Sequence, residues 1–325
     1  MKLIQKTALL ISLLILSPLV LATTLPGPLV DTAWLRAHHN DVTILDIRLN
    51  AKSFVGKPAY SKDKKTGKLK LVKIAGHIPG AHLVDYKHLR GDQMINGQKI
   101  TKMLLDKATF EKLMQSAGVN KGDAIVIVSK GASNLDVTGA TRLYWSLKYY
   151  GQDNMAILDG GLAQWLKDGG KVSNTAMKVK KGNWVATAER KDILATSADV
   201  KNAMHDKSAQ LVDTRPVSQY MGVYRKSYVF AEGHIPGAKN LPNELLTGPN
   251  GKAEFTPKEK LQKITASLGI KPEGKIITYC NSGHLASGSW FFYHEIMGNK
   301  QAKLYDGSMH EWTKEKGDTV SLRSE

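Results

Sequence analysis

Cysteine is nearly absent from this sequence: among 325 residues there is one, Cys280. A single thiol excludes an intramolecular disulfide, a cysteine-based zinc site and an iron–sulfur cluster. Long apolar runs are also scarce: the sequence has one, and it lies at the N-terminus. A polytopic membrane protein needs several, so this class is excluded. Hydrophobic residues still make up 42% of the chain, enough for a folded globular protein. The length suggests two domains.

Residues 1–22 have the three-part plan of a secretory signal peptide. Lys2 and Lys6 form a basic start, an apolar run extends from Ala8 to Leu16, and a small residue, Ala22, marks the expected cleavage position. The apolar stretch of roughly 13 residues is shorter than the ~20 that span a bilayer, which favours cleavage over a membrane anchor. We therefore expect a periplasmic protein with no stable membrane insertion after cleavage.

Positive charge dominates the chain, since 46 Lys and Arg against 29 Asp and Glu give a net charge of +17. A basic surface attracts nucleic acids, anionic membranes and small anionic substrates alike. The sequence shows no recognition helix, RNA-binding aromatic motif or zinc finger, so we expect no nucleic-acid partner. The lysine cluster between Lys62 and Lys73 is typical of a solvated loop. The positive charge is therefore consistent with a small anionic ligand but does not identify it.

The chain repeats itself once. Three motifs occur twice in the same order: Asp-x-Arg, Gly-His-Ile-Pro-Gly-Ala and Asp-Gly-Gly or Asp-Gly-Ser, which begin at Asp46, Gly76 and Asp159 and again at Asp213, Gly233 and Asp306. This order indicates one ancestral domain that was duplicated. His77 and His234 stand in both copies although only one copy has a thiol, so we expect them to hold turns and to take no part in chemistry.

Short β-branched runs alternate with longer helical patterns in both copies. The predicted strands include 42–45, 124–128, 210–212 and 275–279, and the clearest predicted helices are 109–117, 138–150 and 286–297. This alternation predicts an α/β fold in which each copy has a mainly parallel sheet flanked by helices. The polar, lysine-rich segment 171–191 is predicted to link a domain at 23–170 to a domain at 192–325.

Cys280 stands directly after a predicted strand and begins a strand-to-helix loop. The carboxyl ends of parallel strands are where ligands usually bind. Loop amides and the free amides of the helix start can surround an anion and favour a thiolate. A lone cysteine is often buried and inert, but this location predicts a functional thiol. We expect Cys280 to be catalytic and its backbone cradle to consist of Asn281, Ser282, Gly283, His284 and Leu285.

The first copy has no thiol at the corresponding place. Aligned from Gly122 and Gly274, Cys280 falls on Val128 or, with a shift of one residue, on Ser129. The segment after this point is longer in the first copy, by about five residues, which we assign to its loop. The first copy is therefore predicted to be chemically silent and to serve as scaffold and pocket wall.

With these motifs the sequence resembles the tandem rhodaneses, the thiosulfate/3-mercaptopyruvate sulfurtransferase family. The resemblance covers essentially the whole chain after residue 22. It implies two rhodanese-like domains, the first inactive and the second catalytic. It also implies that Cys280 takes a sulfane sulfur from a small anionic donor as a persulfide and passes it to cyanide or a thiol. No cofactor and no metal are expected.

The residues after Cys280 depart from the family pattern. Thiosulfate-using members carry basic residues directly after the cysteine, where this chain has Asn281 and Ser282. Mercaptopyruvate-using members have a small residue and then Ser, which Ser282 matches in part. A family arginine beyond the Asp-x-Arg motif is replaced by Gln219, and Arg225 or Lys226 is the candidate to compensate for it in substrate binding. Both donors therefore stay open.

Four alternatives were weighed. A cysteine-dependent phosphatase needs Arg at the sixth position after the cysteine, which here is Ala286. His294-Glu295 lacks the second histidine of a helical zinc protease, since position 298 is glycine. One alternative to an enzyme is a periplasmic persulfide carrier that holds sulfur for a dedicated acceptor without free turnover. Another is a fully inert structural duplicate, which alkylation of Cys280 at neutral pH would contradict.

Overall fold

The computed structural model describes residues 23–248 and 253–322. The expected signal peptide, residues 1–22, lies outside the described residues. The strands of the first half are β1 Leu29–Val30, β2 Thr43–Arg48, β3 Ala59–Lys62, β4 Leu69–Lys73, β5 His82–Asp85, β6 Arg90–Ile95, β7 Gln98–Leu104, β8 Ile125–Ser129 and β9 Met155–Leu158. Its helices are α1 Thr32–Ala37, α2 Lys107–Ser116, α3 Asn134–Tyr149 and α4 Gly161–Lys167.

The second half repeats this plan with shorter elements. Its strands are β10 Leu194–Ala195, β11 Gln210–Asp213, β12 Lys239–Asn240, β13 Ile276–Tyr279 and β14 Ala302–Tyr305. Its helices are α5 Ser197–Asp206, α6 Val217–Tyr220, α7 Lys258–Ser267, α8 His284–Phe291 and α9 Ser308–Lys314. A π-helical turn, Phe292–Ile296, continues α8, so the predicted helix 286–297 is confirmed with a start two residues earlier.

Each half is built on a five-stranded parallel sheet. The strand order is β1-β9-β8-β2-β5 in the first sheet and β10-β14-β13-β11-β12 in the second. These orders correspond strand for strand, which confirms the predicted duplicated α/β fold. The registers also correspond, because Asp46 faces Val128 and Asp213 faces Tyr279. Val128 is therefore the counterpart of Tyr279, and Ser129 is the counterpart of Cys280.

The repeated motifs hold turns in both halves. Arg48 and Arg215 are buried, and each donates from Nη2 to its neighbouring aspartate and to the carbonyl of the first glycine of the Gly-His-Ile-Pro-Gly-Ala turn, 2.7 Å away in both halves. His77 stacks on the Phe54 ring with centroids 3.8 Å apart. His234 stacks on Tyr220 in the same way. The structural role expected for both histidines is thus confirmed.

Helices α3 and α8 pack against each other between the halves. Small side chains allow this approach: a Cβ on Gly288 would lie 3.0 Å from Thr138 Cγ2. Thr141 Oγ1 and Ser287 Oγ share a hydrogen bond of 2.8 Å across the contact. The largest cluster of buried apolar side chains runs through both halves at this interface. The two halves therefore share one core.

Two antiparallel hairpins project from the first half. Hairpin β3–β4 carries the lysine cluster, so this segment is a two-stranded hairpin where we expected a loop. Hairpin β6–β7 reaches onto the second half, where the Leu104 amide donates to Asp306 Oδ2 at 2.6 Å and the Asn96 side chain donates to Glu315 Oε1 at 2.7 Å. This second hairpin lies next to the loop that contains Cys280.

The predicted linker, 171–191, runs along the first half. Trp184 is buried there and donates from Nε1 to Gln152 Oε1 at 3.1 Å. The amides of Trp184 and Thr187 bond to the carbonyls of Val119 and Tyr150. The segment is therefore anchored to the first half. Across the described residues, no helix has the length and apolar character needed to cross a membrane.

Candidate active site

Cys280 is the first residue after β13 and is almost completely buried, with 1% of its surface exposed. The sequence predicts a functional thiol over a buried, inert one; Cys280 is buried, and its catalytic role stays a prediction. Part of its surroundings is the apolar core. The rest is polar. Burial raises the pKa of the Tyr86 phenol, the charges of Arg90 and Arg142 oppose that shift, and the charge of Cys280 adds to it.

The Cys280 loop is pinned by Ser308, the serine of the Asp-Gly-Ser motif. Ser308 Oγ accepts hydrogen bonds from the amides of Cys280 and Gly283, both at 3.1 Å, and donates to the Tyr305 carbonyl at 2.7 Å. Two amides of α9 hold the loop from the other side, because those of Met309 and His310 donate to the carbonyls of Cys280 and Asn281 at 3.0 Å. The loop conformation is thus fixed by backbone and serine contacts.

Several amides remain available in this loop. In the described part of the chain, the amides of Asn281 and Ser282 donate to no backbone carbonyl. His284 and Leu285 form the first turn of α8, whose amides have no intrahelical acceptor. Free amides at a helix start, together with the helix dipole, favour negative charge. The amides of Asn281, Ser282, His284 and Leu285 are therefore placed to face an anion, whereas the Gly283 amide already donates to Ser308 Oγ. The cradle role of residues 281–285 stays a prediction.

Gly283 is required at the turn from the loop into α8. Its φ is +70°, and a Cβ at this position would lie 2.4 Å from Asp306 Oδ1 and 2.6 Å from Arg142 Nη1. Arg142 comes from α3 of the first half, is fully buried and forms an ion pair with Asp306. The same Nη1 donates to the Gly283 carbonyl at 3.3 Å. The first half therefore helps to position the loop of the second.

The two weaker site candidates lie beside the loop. Gln219 is buried in α6 and its Oε1 accepts from Asn281 Nδ2 at 2.7 Å, while its Nε2 donates to the Tyr224 hydroxyl. It thus supports the Asn281 side chain. Arg225 is exposed and donates from Nη1 to the Val229 carbonyl at 2.6 Å. The structure shows no contact between the Arg225 side chain and the described Cys280 loop, and its binding role stays a prediction.

His284 is half-buried and packs on Tyr86, with ring centroids 4.7 Å apart. Burial lowers the pKa of His284 to about 3, and the nearby charge of Arg90 contributes to that shift. The imidazole is therefore neutral at neutral pH and can donate from Nε2 to the Leu135 carbonyl at 3.3 Å. Its contribution to anion binding is limited to its backbone amide.

The equivalent loop of the first half differs in two ways. Ser129 takes the place of the cysteine, as the one-residue shift had anticipated. In addition, the Asp136 carboxylate lies inside the loop, where its Oδ2 accepts from the Ala132 amide at 2.9 Å and from Ser133 Oγ at 3.4 Å. The first half therefore already holds a carboxylate where an anion would bind. Its loop is one residue longer than the second, and most of the extra length lies in α3, which corrects the expected long loop.

The model of the Rhodanese-like domain family matches this chain twice, at residues 30–168 and 196–315. The chain belongs to the rhodanese family. A protein of Mycolicibacterium smegmatis, provisionally named a thiosulfate sulfurtransferase, is 32% identical over 257 residues, which cover 77% of this chain and 87% of the relative. The sulfur carrier protein TtuD of Thermus thermophilus is 26% identical over 296 residues, covering 88% of this chain and 94% of the relative.

A solved structure shows the same likeness. SseA from Escherichia coli, described as a 3-mercaptopyruvate sulfotransferase with the rhodanese fold, superposes with a TM-score of 0.69 at 27% identity, covering 87% of this chain and 98% of SseA. This rhodanese is thus a member of a sulfurtransferase family. Within the described residues no group of His, Cys, Asp or Glu side chains is placed to hold a metal ion.

Some residues that contact the Cys280 loop come from elsewhere in the fold and were not predicted from the sequence. Ser308 could have been found, because it belongs to a repeated motif. Arg142 lies in a helix without a motif, and Arg90 donates to the Ser282 carbonyl at 3.2 Å from a hairpin that has no distinctive pattern. These contacts join residues far apart in the chain, and a single sequence carries no signal of them.

Proposed function

We propose that the protein moves sulfane sulfur from thiosulfate, or from 3-mercaptopyruvate, to a thiophilic acceptor such as cyanide or a thiol through a persulfide on Cys280. The main support is the position of Cys280 between the end of β13 and the amides at the start of α8. These amides can stabilise the negative charge of a thiolate and of the persulfide that replaces it. The family membership supports the same reaction class.

The reaction proceeds in two displacements. The Cys280 thiolate attacks the outer sulfur of thiosulfate, a new S–S bond forms, and the S–S bond of the donor breaks with its electron pair leaving on sulfite. The acceptor then attacks the terminal sulfur of the persulfide. With cyanide, a C–S bond forms to give thiocyanate, and the electron pair of the persulfide bond returns to Cys280 as a thiolate. Charge and atoms balance in each step.

The test compares wild type with Cys280→Ser, using thiosulfate and 3-mercaptopyruvate as donors and cyanide and a dithiol as acceptors. We expect turnover with at least one donor in wild type and none in the variant. Because Cys280 is the only thiol, intact mass spectrometry reports its sulfur loading without ambiguity. A Cys280→Ser variant that still turns over, or a wild type that never gains a sulfur atom, would refute the mechanism.

A persulfide carrier without free turnover is the second candidate. Two observations favour it: the 1% exposure of Cys280, which restricts access of free acceptors, and the similarity to a protein named as a sulfur carrier. The two functions differ in stoichiometry. A carrier takes up one sulfur per chain and releases none to cyanide, whereas the enzyme forms thiocyanate continuously.

We also propose that the protein is exported to the periplasm after cleavage behind Ala22. The support is the sequence of residues 1–22, with its basic start, short apolar run and small residue before the cleavage position. N-terminal sequencing of the protein from a periplasmic extract should begin at Thr23. An intact Met1 on protein from the cytoplasm or membrane would contradict the proposal.

A further inference from the structure

Hairpin β6–β7 of the silent half places a guanidinium on the Cys280 loop. Arg90 Nη1 donates to the Ser282 carbonyl at 3.2 Å and lies 3.4 Å from Ser282 Oγ. Its guanidinium also lies over the Tyr86 ring, 4.8 Å from the centroid, and this contact fixes the plane of the group. Arg90 therefore stands at the loop position that directly follows Cys280 and Asn281.

The same hairpin supplies a second cation. Lys102 Nζ lies 3.5 Å from the centroid of the Tyr228 ring. Burial raises the pKa of Tyr228, and the nearby Ser282 side chain opposes that shift. Burial lowers the pKa of Lys102, and the charges of Arg90 and Lys226 lower it further. Lys102 therefore lies within reach of the charge of Arg90, which contacts Ser282.

No carboxylate balances these charges within the described residues. The ion pairs there include neither Arg90 nor Lys102. Asp306, beside the loop, is already paired with Arg142, and Asp92 of the same hairpin is paired with Lys99. Cations that are partly removed from water and lack a counter-ion are destabilising unless an anion joins them. Their arrangement therefore points to a ligand with more than one negative charge.

A buried hydroxyl gives an independent indication of a ligand. Tyr86 is 8% exposed, and its hydroxyl has no hydrogen-bond partner in the described residues. The Arg90 guanidinium lies over the ring of this phenol, and the charge of Cys280 also acts on it. An unpaired buried donor is destabilising, and a bound acceptor atom would remove that cost. Tyr86 thus offers a donor to a group placed between Arg90 and Cys280.

We propose that Arg90 and Lys102, from the catalytically silent half, bind the oxygen atoms of a small inorganic sulfur dianion over Cys280. The proposal rests on the sulfurtransferase function above and names the donor class. Family members that use thiosulfate carry basic residues directly after the cysteine, where this chain has Asn281 and Ser282. Arg90 supplies the missing charge at the same place through space. On binding, the donor oxygens replace Ser282 as the acceptors of the Arg90 guanidinium.

This arrangement favours a dianion over a monoanion. Thiosulfate carries two charges on a compact group, so it can accept hydrogen bonds from Arg90 and Lys102 at once. The carboxylate of 3-mercaptopyruvate carries one. A charge-assisted hydrogen bond contributes about 1.5–3 kcal/mol, and each 1.4 kcal/mol corresponds to a tenfold change in affinity. Loss of either cation should therefore weaken thiosulfate binding by about ten- to a hundredfold.

The experiment measures binding without chemistry. Isothermal titration calorimetry of thiosulfate is carried out on Cys280→Ser alone and with Arg90→Gln, Lys102→Gln or Lys99→Gln added. Lys99 is the matched control, because it lies on the same hairpin but is 62% exposed and paired with Asp92 at 2.8 Å. We expect weaker binding by at least about tenfold for Arg90→Gln and for Lys102→Gln, and a change below about twofold for Lys99→Gln.

A second readout separates binding from loop structure. In the Cys280-containing protein, sulfur loading from thiosulfate should fall in Arg90→Gln and Lys102→Gln. Reaction with an uncharged organic trisulfide, in which Cys280 forms a mixed disulfide and the persulfide anion of the reagent leaves, should stay close to wild type. Equal losses with both reagents would show that these residues only support the loop, and unchanged thiosulfate binding would also overturn the proposal. If no donor loads Cys280, the proposed function fails, while the calorimetry still decides the anion site.

Discussion

Gly283→Ala is the substitution whose effect the structure specifies most closely. The new Cβ would lie 2.4 Å from Asp306 Oδ1 and 2.6 Å from Arg142 Nη1, and neither group has room to retreat because both are buried. The positive φ of 70° adds a conformational cost. A left-handed backbone costs about 1–2 kcal/mol for a residue with a side chain. Disrupting a buried ion pair costs about 3–5 kcal/mol more.

Gly298→Ala is the matched control for this variant. Gly298 has a φ of +78°, close to that of Gly283, but nothing lies within 4 Å of the Cβ it would gain. Only the conformational cost of about 1–2 kcal/mol should apply there. The difference between the two variants therefore isolates the contact with Arg142 and Asp306, which we expect to exceed about 3 kcal/mol.

The assay is equilibrium urea unfolding followed by tryptophan fluorescence, since Trp290 and Trp312 are buried in the second half. Sulfur loading of Cys280 should also fall in Gly283→Ala, because the loop cannot keep its amides in place, and should be unchanged in Gly298→Ala. Equal losses of stability in the two variants would show that the ion pair yields without cost. In that case the role given to Arg142 in positioning the loop would be wrong.

Two further predictions concern buried carboxylates. A Ser129→Cys, Cys280→Ser double variant should have a thiol that iodoacetate alkylates slowly, because the Asp136 carboxylate fills that loop. Adding Asp136→Ala should raise the alkylation rate about tenfold or more, since a nearby like charge costs roughly 1–4 kcal/mol. An equal rate with and without Asp136→Ala would contradict this. Burial, with the charges of Glu315 and Asp306, raises the pKa of Glu311 to about 7, so its carboxyl stabilises the fold most below pH 4.5 and loses that contribution as the pH rises through 7. Glu311→Gln should therefore raise the free energy of unfolding by about 3 kcal/mol at pH 8, with little gain at pH 5. Urea unfolding at the two pH values measures this difference. An equal gain at pH 5 and pH 8 would oppose the prediction.

Much of the fold followed from local pattern. The β-branched runs before Asp46 and Asp213 became β2 and β11, and the alternation with α3 and α8 gave parallel sheets. The repeat predicted equivalent halves, and their strand orders correspond. The burial of Cys280 could not be predicted from local pattern, because it depends on how hairpin β6–β7 and helix α3 pack on the loop. These contacts join residues that are far apart in the chain.

The sequence by itself determined the family, the duplicated α/β fold and the place of Cys280 at a strand end. These depend on motifs and periodicity, which neighbouring residues encode. Only the tertiary structure brought Arg142 and Arg90 from the first half onto the Cys280 loop of the second, and Lys102 onto the Tyr228 ring. The physical reason is that packing two similar domains face to face creates contacts between surfaces that are remote in the chain, and these contacts decide which charges surround the thiol.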